Sequence, residues 1–239
     1  MPRSSFQLIA NPASVPVPVA TASYMPVPQN ALWKMISDEF KYNGFTVSEP
    51  MHMISPKQTV FVSSMNVSGR SIDTGNEIGW TVAGMSSYDR SIANRIVFGG
   101  KVFICANGLV VADKVLKTKH TTNVFDRLPN LVRLAVSSFR EEVLKANEFY
   151  NGLKTIYTAK AALASFAVDL GRADLLPKAK VVDFVDEATK PSYDYGTEQG
   201  CLWNVHNAYT HFAKDFNPTV RPSRVIRFEK ALKQAYALV

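Results

Sequence analysis

The chain has 239 residues, 46% hydrophobic and 20% charged, enough to bury a core of its own and unlike a disordered or fibrous composition. No run of about 18–20 apolar residues supplies a membrane span, and the N-terminus lacks a charged region followed by a long apolar one, so a cytoplasmic protein is expected. Twenty-seven Lys and Arg against 20 Asp and Glu leave a net charge of +7, which favours polyanion partners.

Residues 1–28 read as an extended arm, because Pro16, Pro18, Pro26 and Pro28 alternate with small or β-branched residues and fix φ. Asn30 is a plausible N-cap, with Leu32, Trp33, Ile36 and Phe40 at helical spacing and Gly44 as a stop, which predicts a helix over 30–43. Residues 59–67 and 77–85 are rich in β-branched and aromatic side chains and read as a hairpin with a long loop. Residues 96–98 and 101–106 flank Gly99-Gly100, a second hairpin signal, and Asn107-Gly108 is a tight-turn signal.

Helices dominate the rest. Leu128, Val132, Ala135, Val136, Phe139, Val143, Ala146, Phe149, Tyr150, Leu153 and Tyr157 repeat every three or four residues and form the apolar stripe of one long helix. Pro129 is tolerable only near the start of that helix. Residues 163–170, 181–188, 198–215 and 223–237 read as further helices, broken at Gly171, Pro177 and Pro218. The expected fold is α+β: an antiparallel sheet packed against a long amphipathic helix, with a helical C-terminal part. The organisation is an arm (1–28), a core (29–170) and a helical region packed on it (171–239).

Metal and nucleophile chemistry find little support. The two cysteines, Cys105 and Cys201, are far apart, and His206 and His211 are five apart rather than the four that places two ligands on one helical face. No Walker A, GxGxxG, HExxH or GxSxG pattern occurs, so no cofactor and no enzyme are expected. Asp89, Cys105 and His120 are catalytic candidates only if the fold brings them together.

Basic residues are unevenly placed. From Arg90 to Lys145 there are ten Lys/Arg against four Asp/Glu, most of the chain's surplus. This singles out Arg90, Arg95, Lys101, Lys117, Lys119 and His120 as phosphate contacts, with Tyr88 as a base-stacking residue. Arg221, Arg224, Arg227, Lys230 and Lys233 recur every three residues along one helix, so Arg224 and Arg227 form a second cationic choice.

Four motifs in order resemble the phage- and plasmid-borne family called domain of unknown function 932. They are Ser87-Tyr88-Asp89-Arg90-Ser91, then Gly99 to Gly108 with Cys105 and Asn107, then His120-Thr121, then Trp203 with Asn207-Ala208-Tyr209-Thr210. The loop carries Arg90 where the family usually has Gly. The resemblance spans roughly residues 24–235 and implies a mobile-element protein in a bacterial cell. The order of elements also looks like the core of phage single-strand annealing proteins, which form oligomers and hold single strands between sheet and helices. Together these readings predict a single-stranded DNA-binding, homo-oligomeric protein of recombination. The alternative is an accessory protein that binds and inhibits a host defence or host enzyme.

Overall fold

The structure is a computed structural model that describes residues 6–69, 72, 78–102 and 114–238, with backbone alone for Ile78, Lys101, Val102 and Lys114. Its β-strands are β1 (Gln7–Ile9), β2 (Thr46–Val47), β3 (Met51–Ile54), β4 (Val60–Ser68), β5 (Ile78–Ser87), β6 (Asn94–Val102) and β7 (Lys114–Thr118). All pair antiparallel, in the order β1-β3-β4-β5-β6-β7, with β2 also on β4. The α+β expectation holds, and β4 to β7 form a meander.

One side of the sheet carries the core. Helix α1 (Gln29–Tyr42) lies on it with Leu32, Trp33, Ile36 and Phe40 buried. Gly84 in β5 makes the close approach possible, since a Cβ there would sit 3.0 Å from Ile36 Cδ1. Helix α2 (Val124–Thr155) buries the predicted stripe as far as Leu153, with Phe139 edge-on to Phe40, Phe45 and Phe98 at ring distances of 5.1, 5.4 and 5.3 Å, whereas Tyr157 falls past the helix end and is exposed. Such T-shaped pairs add specificity to apolar burial. At 32 residues α2 is about 48 Å long. Pro129 is its sixth residue, so only the bond to the Phe125 carbonyl is forgone.

The far half of α2 is wrapped by α3 (Lys160–Arg172), α4 (Val181–Thr189), α5 (Leu202–Ala213) and α6 (Arg221–Ala235). Tyr209 of α5 stacks on Phe228 of α6 at 3.8 Å, and Trp203 on His206 at 5.6 Å. One continuous apolar cluster runs from Val27 and α1 through α2 to Leu232 in α6. Among the described residues no helix is long and apolar enough to cross a membrane.

Two expectations are corrected. Gly99 and Gly100 do not turn the chain: they lie inside β6, opposite Thr81 and Trp80 of β5. Without a side chain, Gly100 leaves room for the indole across from it. Lys114–Thr118, read as a segment leading into α2, is the strand β7. Cys105, Asn107 and Gly108 lie outside the described residues.

The arm, from residue 6 on, lies along its own chain. Its β1 extends the sheet, Val15 packs beside Ile54, Phe61 and Tyr88, and Val27 is fully buried. Tyr24 Oη donates to the Tyr88 carbonyl at 2.9 Å, and the Met25 amide donates to the His120 carbonyl at 3.1 Å.

Candidate functional site

The side chains of adjacent strands line up in rows across a sheet. On the side away from α1 and α2, one row runs through every strand of the main path: Leu8, Met53, Val62, Met85, Arg95 and Lys117 are successive cross-strand partners. Five strand spacings make it about 24 Å long. Its middle is apolar and buried, since Val62 and Met85 pack with Val97 under Phe6 and Ile226. Its β6–β7 end is cationic.

At that end the sheet faces the loop before α6 across a groove of about 830 Å³. The sheet side supplies Phe6, the Ser55-Pro56-Lys57 turn, Thr59 and Val60, together with Ser91, Ile92 and Arg95. The helical side supplies Asn217, Thr219, Val220 and Ser223. Two cations and no carboxylate are among the described residues that line it. Arg95 crosses it: one terminal nitrogen donates to the Thr219 carbonyl at 3.2 Å, while Nε is buried without an acceptor. Asn217 Oδ1 accepts from the amide and hydroxyl of Thr219 at 3.0 and 2.9 Å, which shapes the turn into α6.

The loop between β5 and β6 borders the groove and is built from hydrogen bonds. Asp89 accepts from Thr59 Oγ1 at 2.6 Å and from the Ser91 amide at 2.9 Å. Its partial burial raises the carboxyl pKa, but bonds from Ser91, Thr59 and Ser87 outweigh this and hold it below the usual range. Arg90 takes a left-handed φ of 65° and lays its guanidinium 4.3 Å from the centre of the Tyr24 ring. Beneath the loop runs a buried chain of polar groups. Ser86 Oγ donates to Asn94 Oδ1 at 2.7 Å, Asn94 Nδ2 reaches His120 Nδ1 at 3.4 Å, and His120 Nε2 meets the Ile92 carbonyl at 3.0 Å. This order assigns the Nε2–H tautomer, with Nδ1 accepting.

The sequence-selected residues therefore separate. Arg95 lines the groove, Lys117 stands directly across β6–β7 from it, and Lys117 and Lys119 are exposed. Arg90 is exposed at the loop but occupied by Tyr24. Lys101 falls within β6, outside the described side chains. Tyr88 is only 9% exposed and its ring packs edge-on to Phe61 at 4.8 Å, so it has no open face for a base. His120 is buried with both ring nitrogens engaged. Burial lowers its pKa against the opposing effect of the Ile92 bond, and with both nitrogens taken neither is left for a phosphate.

The C-terminal cations do not form an open stripe. Arg224 pairs with Asp174 at 3.3 Å and lies over Phe216, Arg227 donates to the Ala173 carbonyl at 3.2 Å, and Arg221 donates to the Lys214 carbonyl at 2.7 Å. They tie α6 to its neighbours. Asp89 and His120 each bond other partners rather than one another, and no group of three metal-binding side chains occurs among the described residues. Lys57, Phe6 and the 217–223 turn were missed by sequence reasoning. Ser55-Pro56-Lys57 carries a turn signal, but nothing local brings it to residue 219.

A family model, the domain of unknown function DUF932, matches residues 17–237. The chain belongs to the DUF932 family. No curated protein and no solved structure matches it. In this DUF932 protein the described motif residues are mostly structural. Ser87 Oγ accepts from the Ile92 amide and donates to its carbonyl, at 3.1 and 2.9 Å, and His120 closes the buried chain. In α5, Asn207 Nδ2 donates to the Trp203 carbonyl and Thr210 Oγ1 to the Asn207 carbonyl, both at 2.9 Å and both buried. The groove touches these motifs only at Ser91 and otherwise lies beside them.

Proposed function

We propose that this DUF932 protein binds single-stranded nucleic acid, DNA in the setting of a mobile element, through the cationic end of the sheet row and the groove it enters. The observation that carries the reading is that Lys57 and Arg95 line a groove with no carboxylate among its described lining, while Lys117 extends the positive charge across β6–β7. Cations in a cleft walled by low-dielectric protein focus the field on a phosphate backbone. The groove is walled by the sheet on one side and the 217–223 turn on the other, which favours a flexible single strand over a rigid duplex. No bound cofactor enters the mechanism. Annealing would follow from holding the backbone while leaving base edges free.

The test is fluorescence anisotropy with single- and double-stranded oligonucleotides across a salt series. Single strands are expected to bind more tightly, with affinity falling linearly in log–log form. Replacing Arg95 and Lys117 by Gln removes two phosphate contacts, so the slope flattens by about 1.4. Absence of binding to either form at low salt refutes the proposal, and an unchanged slope in the folded double variant removes this face.

A further inference from the structure

We infer that the groove seats one unstacked nucleotide, its base against Phe6 and its phosphate at Arg95, an assignment that rests on the strand-binding reading above. A groove of about 830 Å³ has the size of a small-molecule site rather than of a duplex track. Its lining is divided by chemistry. Phe6, Ile92 and Val220 offer apolar surface, whereas Lys57 and Arg95 offer positive charge. A nucleotide has the same division, a flat apolar face joined through a sugar to an anion.

Phe6 is suited to the base. It rests on the Val62–Met85–Val97 cluster, which backs it, and it is half-buried rather than sealed. A backed aromatic ring is the element on which single-strand binders stack bases without reading their edges. Arg95 is suited to the phosphate. Its guanidinium is anchored at one end by the Thr219 carbonyl, and its Nε has no acceptor. The half-buried guanidinium carries more donors than the one Thr219 takes, and a charge-assisted bond to an oxyanion is stronger than one to a neutral acceptor. Ser223, in the first turn of α6, places the positive end of the helix dipole on the same groove.

The experiment compares an oligo(dT) with an abasic oligomer of equal length and equal charge, against the wild-type chain and against Phe6→Leu. Leucine keeps apolar packing on the Val62 cluster but has no ring to stack. The wild type is expected to bind the abasic strand about tenfold more weakly, the loss of one stacked base. Phe6→Leu is expected to bind both strands with the weaker affinity and an unaltered salt slope. Equal, salt-dependent binding of both strands by the wild type overturns the nucleotide seat and leaves backbone binding standing. A Phe6→Leu variant that keeps the full preference also overturns it. Loss of all binding by the wild type removes the underlying reading instead.

Discussion

Glu229 and His206 form a buried acid–base pair whose proton balance can be read in stability. His206 Nε2 lies 3.0 Å from Glu229 Oε1, with the side chains 1% and 12% exposed. Burial pushes the Glu229 carboxyl up to about 8, against the opposing pull of the Lys233 charge and a Tyr150 hydrogen bond. Burial also pushes the His206 imidazole down to about 3. Both shifts favour a folded pair without net charge, a protonated carboxyl beside a neutral imidazole, joined by the Nε2–Oε1 hydrogen bond. In the unfolded chain the ordinary values are 4.5 and 6.5.

The raised Glu229 value gives stability that is complete below pH 4.5 and lost as pH rises through 8. The lowered His206 value gives stability that is present above 6.5 and lost as pH falls through 3. The two slopes cancel between 4.5 and 6.5, so the pair produces a plateau with a falling alkaline limb. From pH 6.5 to 8 the folded pair keeps a proton that the unfolded chain releases, a loss of about 2 kcal/mol at 1.36 kcal/mol per unit. Glu229→Gln keeps a hydrogen-bonding amide beside Nε2 and removes the carboxyl titration. Urea midpoints are the assay, and with an m-value of about 2–3 kcal/mol/M the wild type should lose close to 1 M across that limb. The variant should lose none of this component. Parallel pH profiles for wild type and variant over 6.5–8 would refute the reasoning.

Two further substitutions test the fold. Gly84→Ala sets a Cβ 3.0 Å from Ile36 Cδ1 in a fully buried contact with Trp33 and Leu32 close by, and should destabilise by about 1–3 kcal/mol in urea unfolding. An unchanged midpoint would mean that α1 can move off the sheet at no cost. Asn94→Ala strips partners from Ser86 and His120 at once and should cost about 2–4 kcal/mol. The same variant leaves the groove cations in place, so oligonucleotide binding measured below its unfolding midpoint should keep the wild-type salt slope.

Much of the architecture was legible locally. The stripe from Leu128 to Leu153 needed only a count of spacings, because a helix repeats every 3.6 residues whatever it packs against. The strands β4 and β5 were marked by β-branched and aromatic residues in the same way. Gly99-Gly100 misled because two glycines are equally at home in a turn and opposite a tryptophan in a strand. Only the partner strand distinguishes these. β7 was hidden by its lysines, which an edge strand tolerates.

What the sequence by itself determined is the set of helices and strands, the basic surplus between Arg90 and Lys145, and membership of a family through motifs in order. What only the tertiary structure decided is which charges are free. Arg224 and Arg227 look identical in spacing to a solvated stripe, yet acceptors at residues 173 and 174 engage them. His120 looks like a phosphate ligand, yet Asn94 and Ile92 occupy both its nitrogens. The groove joins residues 6, 55–60, 91–95 and 217–223, which share no local signal. Periodicity records how a segment meets an apolar core, but a site on the surface depends on which distant segments the packed core brings side by side.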